Sequence, residues 1–231
     1  MLKATHLSKV YQGNQALIDL NLDVQQGEIC CLLGQNGAGK TTTINLFLGF
    51  IQPSAGEASV AGLPVVSGSR DYLRHLAYIP EVVHLYAHMS ALENLDFFSR
   101  LAGFRYSVVR QQEFLERAGL QPEAFERRLG GFSKGMRQKV GIAIAIAKDA
   151  QAILMDEPTS GLDPRATEEF SAICKQLAAD QRTILMATHD IFNAVHVGHT
   201  IGIMKQGRLI HRLVASSVSA AELQQLYLAT I

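Results

Sequence analysis

The stretch from Gly34 to Thr42, "GQNGAGKTT", restricts the fold more than any other part of the chain. It fits G-x-x-x-x-G-K-[ST] through Gly34, Gly39, Lys40 and Thr41. It follows the apolar run "ICCLL" (Ile29 to Leu33) and opens a helical pattern, which is the setting of strand, loop and helix that the spacing requires. Glycines let the backbone wrap closely enough to aim N–H groups at phosphate oxygens, and the helix N-terminus adds positive potential. Asn36, Gly37, Ala38 and Thr42 complete the candidate cradle, Lys40 reaches the β and γ phosphates, and Thr41 supplies a magnesium ligand. A chance glycine-rich turn would need neither this strand before it nor this helix after it.

A second stretch, "LMDEPTSGLDP" (Leu154 to Pro164), poses an electrostatic problem. Its approach "AILM" reads as a buried strand, yet the strand ends in adjacent carboxylates, Asp156 and Glu157, where desolvating even one charge is costly. A bound magnesium nucleotide compensates them, with Asp156 holding the ion through its water shell and Glu157 facing the γ-phosphate. Glu157 is then the candidate that orients and polarises an attacking water, because phosphoryl transfer needs positioning and electrostatics more than covalent help. The competing reading makes one of the pair only a structural cap.

The remaining pattern sets the class. Ile18, Leu20, Leu22 and Val24 alternate with Asp19, Asn21 and Asp23 before a turn at Gln26-Gly27, predicting a half-buried strand of antiparallel type. By contrast "ICCLL", "AILM" and "TILMAT" (Thr183 to Thr188) are apolar throughout, as strands covered on both faces of a parallel sheet are. Helical patterns separate them, so the expected class is α/β. From about Ser90 to Lys148 helix signals dominate: Ser90 and Glu93 form a capping box before "LENLDFFSRLAG", Gly103 is a C-cap, and helices centre on "RQQEFLERAG" and "GMRQKVGIAIAIA". This reads as a helical insert in the core. Lys205-Gln206-Gly207 makes a hairpin turn, and Ser219 with Glu222 caps a last helix, "AAELQQLYLA".

The 231 residues suit one large domain, or a core with a subdomain. Basic and acidic residues balance at 21 each, which leaves no global field for nucleic acid or anionic lipid, so any phosphate is held locally. Cys30, Cys31 and Cys174 lack metal-ligand spacing, and Cys30 and Cys31 point to opposite faces of a strand, so all three read as core thiols. His196 and His199 are three apart with no third ligand in evidence, and read as solvated polar positions. No apolar stretch resembles a signal peptide, and the densest run, "VGIAIAIA", stops far short of the ~20 residues of a membrane span.

With these motifs in this order, the chain resembles the nucleotide-binding subunit of an ABC transporter over nearly its whole length. "GQNGAGKTT" resembles the Walker A motif, "ILMDEP" the Walker B motif with its catalytic glutamate, "SGLD" the D-loop with Asp163, and "ATHD" the switch histidine, His189. Tyr11 sits where the family's adenine-stacking aromatic lies. The resemblance implies a P-loop NTPase (RecA-like) core of mainly parallel sheet, an N-terminal antiparallel β part and an inserted helical subdomain. As one domain, 1–231, its core would cover about 1–86 and 150–231, and the subdomain about 87–149. ATP and Mg2+ are the implied ligands and ATP hydrolysis the implied activity, with Glu157, His189 and Lys40 catalytic.

Two motifs depart from the commonest pattern. The helical signature, usually LSGGQ, here reads "FSKGM" (Phe132 to Met136), keeping Ser133 and Gly135 and replacing a glycine with Lys134. Ser133 can cap the helix and donate to a γ-phosphate, and Gly135 lets that phosphate approach the backbone. "SKGMRQK" resembles a variant common in exporter ATPases for drugs, peptides and ions, which tilts the expectation toward export. The sequence "YIPE" puts Glu81 where the family usually has Gln, a carboxylate that repels a γ-phosphate unless it coordinates magnesium.

In the family two subunits stack head to tail, so that Ser133 of one would cover ATP held by Lys40 of the other. A second copy, or a homologous ATPase, is therefore an implied partner. The family also receives a coupling helix from a transmembrane permease beside the Q-loop, where Val82, Val83, Leu85, Tyr86 and Met89 offer apolar contact, although core packing explains several of them equally well. The implied location is the cytoplasmic side of the inner (plasma) membrane, peripheral through that partner. The rival class, a soluble ABC ATPase of translation or DNA maintenance, usually carries tandem ATPase domains or a long coiled coil. Only the ninety residues from 43 to 132 separate the two phosphate motifs here, without heptads. A blander rival is a nucleotide-dependent binding module that never turns over.

Overall fold

Five strands without a polar face organise the molecule, a computed structural model that describes residues 1–231. The chain begins with β1 (Leu2–Tyr11), β2 (Asn14–Val24) and β3 (Ile29–Leu33), then α1 (Lys40–Phe47), β4 (Ala55–Val60), β5 (Leu63–Pro64) and β6 (Leu76–Ile79). Three helices follow, α2 (Ala91–Leu101), α3 (Val108–Arg117) and α4 (Lys134–Ala147), packed on one another between β6 and the next strand. The chain closes with β7 (Ala152–Asp156), α5 (Pro164–Ala179), β8 (Thr183–Thr188), α6 (Ile191–Val197), β9 (Thr200–Lys205), β10 (Arg208–Val214) and α7 (Ala220–Thr230).

One sheet is antiparallel, in the order β2-β1-β4-β5. The other runs β10-β9-β3-β8-β7-β6, parallel throughout except for β10 at its edge. Alternation along the parallel strands explains their unbroken hydrophobicity: Cys30, Leu32, Leu154 and Leu185 enter a core shared with the antiparallel sheet and α1, whereas Cys31, Leu33, Ile153 and Met186 enter a second core under the other helices. The two adjacent thiols therefore lie in different cores. All three cysteines are free and buried, and burial pushes the Cys30 thiol up to about 11 and raises Cys31 and Cys174 as well, which keeps them protonated.

The helix-end chemistry appears where the sequence places it. Ser90 and Glu93 form a complete capping box on α2, Ser219 and Glu222 form another on α7, and Gly103 adopts φ 91 just beyond the α2 terminus. The expected face of β2 needs correction. Asp19 adopts φ 52 and inserts a bulge opposite β1, so Leu17 joins Leu20, Leu22 and Val24 in the core while Ile18 turns half away. Asp19 is held there by the Ser8 hydroxyl, which accepts its N–H at 2.9 Å, and by a 2.7 Å contact with His6 Nδ1.

Candidate nucleotide site

A cavity of about 600 Å3 opens at the C-terminal ends of β3 and β7, where parallel sheets place their ligands. Its wall combines loop residues Gln35, Asn36, Gly37 and Gly39, helix residues Lys40, Thr41 and Thr42, and the acids Glu81, Asp156 and Glu157. The backbone turns into α1 at Gly39, whose φ of 107 no side chain adopts easily. A Cβ there would also meet Ala16 O at 3.0 Å and Gly207 Cα at 3.3 Å. No side chain caps α1, and the N–H groups of Lys40, Thr41 and Thr42 find no acceptor in the chain before Thr43 N–H reaches Gly39 O at 2.9 Å. Orphan donors at a helix start favour an anion.

Lys40 is only 5% exposed. Its ammonium donates to Gly34 O at 2.6 Å and Gln35 O at 3.3 Å, and stands 3.7 Å from Glu157 Oε1. Thr41 donates its hydroxyl proton to Asp156 Oδ2 at 2.9 Å. Burial raises Asp156 above its ordinary carboxylate value; the Thr41 hydroxyl opposes that, Glu157 adds to it, Lys40 opposes it and Glu81 adds to it. Thr41 and Asp156, in contact at 2.9 Å, and Glu81 on the same wall offer oxygens of the hard kind that magnesium takes, although no three His, Cys, Asp or Glu side chains gather around one point.

Glu157 has φ 45, a left-handed conformation for a non-glycine residue, and three contacts fix it. Its N–H donates to Ala187 O at 2.8 Å, its Oε2 accepts from the His189 N–H at 3.3 Å, and the same oxygen lies 2.8 Å from His189 Nδ1. His189 thus sits beside Glu157 and off the cavity wall, with its side chain 65% exposed.

Other expected site residues lie further out. Gly34 and Ala38 stand behind the loop, Gly34 as the carbonyl that receives Lys40. Tyr11 is 41% exposed at the end of β1, with the Lys9 ammonium 5.0 Å from its ring centre, and it pairs with Asn14, which does reach the wall. Ser133 and Gly135 line a separate cavity of about 110 Å3. Ser133 caps α4 by accepting Met136 N–H at 3.2 Å, and Asp163 caps α5 by accepting Ala166 N–H at 2.8 Å. His196 contacts Glu168 and Lys175, whereas His199 accepts the Ile29 N–H, so the two histidines share no site.

Sequence reasoning missed Asn14, Gln15, Ala16 and Gln206, which complete the wall. They come from two hairpin tips. Gly207 N–H donates to Ala38 O at 3.0 Å and Ile18 N–H donates to Gly207 O at 2.8 Å, so the β9–β10 turn clamps the phosphate loop against β2. Gln12-Gly13 and Gln206-Gly207 mark both turns locally, but nothing local says that they converge.

Residues 17–160 match the family described as ABC transporter. The chain is 35% identical over 214 residues to the bacitracin transport ATP-binding protein BcrA of Bacillus licheniformis, covering 92% of this chain and 69% of that one. It is 34% identical over 206 residues to the Nod factor export ATP-binding protein I of Burkholderia pseudomallei, covering 88% and 67%. Among solved structures, the post-hydrolysis dimer of the ATP-binding cassette MJ0796 bound to ADP and Pi superposes with TM-score 0.82 at 26% identity, covering 93% of this chain and 99% of that one. A phosphate loop, a paired-acid strand end and these likenesses agree: the chain is an ATPase with the α/β P-loop NTPase fold and belongs to the ABC transporter ATP-binding family.

Proposed function

We propose that this ATPase powers export through a separate membrane-embedded subunit, working as a head-to-tail pair that closes on ATP and opens after hydrolysis. The observation that carries the reading is the uncapped α1 terminus facing Asp156 and Glu157 across one cavity. Direction rests on the "FSKGM" resemblance and on relatives named for bacitracin transport and Nod factor export. No helix is long and apolar enough to cross a membrane, which is why a separate membrane subunit belongs to the reading.

Bound Mg·ATP supplies a transferable γ-phosphoryl group and a counter-charge for the acids. Lys40 moves its ammonium from loop carbonyls toward phosphate, and the N–H groups at the start of α1 hold the same anion. Thr41, Asp156 and Glu81 hold the ion through oxygen. Glu157 orients water, steadied from behind by His189, which also comes within reach of a γ-phosphate when the pair closes. Ser133, Gly135 and Asp163 of a second subunit cover the phosphates, and Tyr11 at the rim stacks the base. We take residues of about 87–149 as the arm that carries α4. In the loop that leads from Glu81 into that arm, Val82 and Tyr86 are exposed whereas Val83 and Leu85 pack against the core, so the first two are the better candidates for contact with a membrane partner at the cytoplasmic face.

The test has two arms. The purified chain is expected to release phosphate from ATP with magnesium, and Lys40→Ala to lower the rate at least ~100-fold. Affinity purification from detergent extract is expected to recover a protein with about six spans of ~20 apolar residues. Recovery with ribosomes instead would favour the soluble rival and overturn the transport reading.

A further inference from the structure

Two of the positions at which this chain departs from the commonest family pattern, Lys134 and Glu81, are far apart in sequence and meet in space. Lys134 Nζ lies 3.8 Å from Glu81 Oε1, and both residues hold Ser160: Lys134 donates to its carbonyl at 2.6 Å, and its hydroxyl donates to Glu81 Oε1 at 3.0 Å. Both contacts use Oε1, leaving Oε2 without a protein partner. We propose that Lys134 is a positioning residue for Glu81, holding its carboxylate by one oxygen and offsetting its charge so that the cavity tolerates a triphosphate. The inference rests on the nucleotide reading above.

Two independent imbalances support it. Lys134 is the first residue of α4, where the helix dipole disfavours a cation, and the Ser160 carbonyl with the Glu81 carboxylate supplies the compensation. Glu81 is the third carboxylate on a wall that already carries Asp156 and Glu157, with Lys40 the one cation lining it. An unpaired Glu81 would repel phosphate, and an unpaired Lys134 would sit against a positive helix end. Each substitution makes physical sense beside the other. Glycine at 134 would leave Glu81 with one hydroxyl, and glutamine at 81 would leave Lys134 with one carbonyl. Lys134 is also flanked by Ser133 and Gly135, so the link joins this cavity to the helix end that would serve a second subunit.

The pair is partly solvated, 31% exposed at Lys134 and 53% at Glu81, so its coupling belongs on the scale of exposed ion pairs. The experiment is a double-mutant cycle on the dissociation constant of trinitrophenyl-ATP in EDTA, with monomers verified by light scattering. At ~0.01 M salt Lys134→Gly is expected to weaken binding about two- to fivefold, and to change it far less in the Glu81→Gln background. Lys134→Arg is expected to bind as the unsubstituted chain does, and the coupling to fade at ~1 M salt. A merely structural Lys134 would weaken binding equally in both backgrounds, and that result, or coupling that persists at ~1 M salt, would overturn the proposal. If even the unsubstituted chain fails to bind the analogue, the nucleotide reading falls. The pair is then judged on the thermal midpoint of the nucleotide-free protein: a larger drop from Lys134→Gly with Glu81 present than without it retains the pair, and equal drops reject it.

Discussion

The N-termini of α1 and α4 obey the same physics and are finished differently. At α1 a left-handed glycine replaces the cap, three N–H groups stay unmet, and three carboxylates gather around them. At α4 Ser133 caps the helix and a lysine follows it. The first end is left open, with its unmet donors, its lysine and its acids all supplied by one chain. The second satisfies itself, yet its cap uses only the acceptor of the Ser133 hydroxyl, whose proton is free to donate. A phosphate presented by another molecule could therefore be bound at α4 without breaking the helix, while at α1 it supplies what the helix lacks.

The largest expected effect separates chemistry from binding at the α1 end. Glu157→Gln should lower kcat about 10²–10⁴-fold and leave nucleotide affinity within a few-fold, because the amide oxygen can still accept from the His189 N–H. Equal losses in binding and turnover would show that Glu157 holds the nucleotide and does not orient water. Next comes Glu81→Gln, expected to keep ATPase activity within about tenfold, under ~1.4 kcal/mol of barrier. A loss as complete as that from Glu157→Gln would make Glu81 indispensable.

Ser133→Ala probes the other helix end. Removing the cap should cost about 1 kcal/mol and lower the thermal midpoint by about 2–4 °C in a chain of this size. Ser133→Asp should restore the midpoint, since aspartate caps as well as serine, but its carboxylate only accepts and cannot replace the hydroxyl donor proposed for a second subunit's phosphate. Turnover measured at saturating protein concentration then tells the cap from the donor: full activity of the aspartate variant would leave Ser133 only a structural role.

What could be read from the sequence divides along the same line. The phosphate loop, the acid pair and the strands buried on both faces were legible because each is a local pattern whose chemistry has one good outcome: an unbroken apolar run needs cover on both sides, and two carboxylates at a buried strand end need a cation. The capping boxes are equally local. β1 and the true face of β2 were not legible, because bulges at His6 and Asp19, both at positive φ, break the two-residue period that a strand pattern depends on. Nor was the clamp of Gly207 on Ala38 and Ile18, a tertiary contact between residues each unremarkable in its own turn. The pairing of Lys134 with Glu81 belongs to this group, visible in the sequence only as two separate departures.

The smallest effect tests the premise that the α1 end is built around a missing counter-charge. Asp156 holds its proton more tightly in the folded chain than in the unfolded one, mainly through burial. Its ionised form therefore destabilises the nucleotide-free protein at any pH above the folded value, and the penalty shrinks as pH falls and vanishes below the unfolded value of about 3.9. Asp156→Asn removes the charge and keeps an oxygen for the Thr41 hydroxyl. The variant should melt about 1–2 °C above the unsubstituted chain at neutral pH, a modest gain because half-solvated carboxylates are screened, and the advantage should disappear near pH 3. With magnesium and ATP the order should reverse, since ligand that binds only the intact site adds stability the variant cannot gain. If the variant is the less stable at neutral pH without ligand, the acids are at ease where they stand, and the contrast between an unfinished helix end and a finished one loses its electrostatic basis.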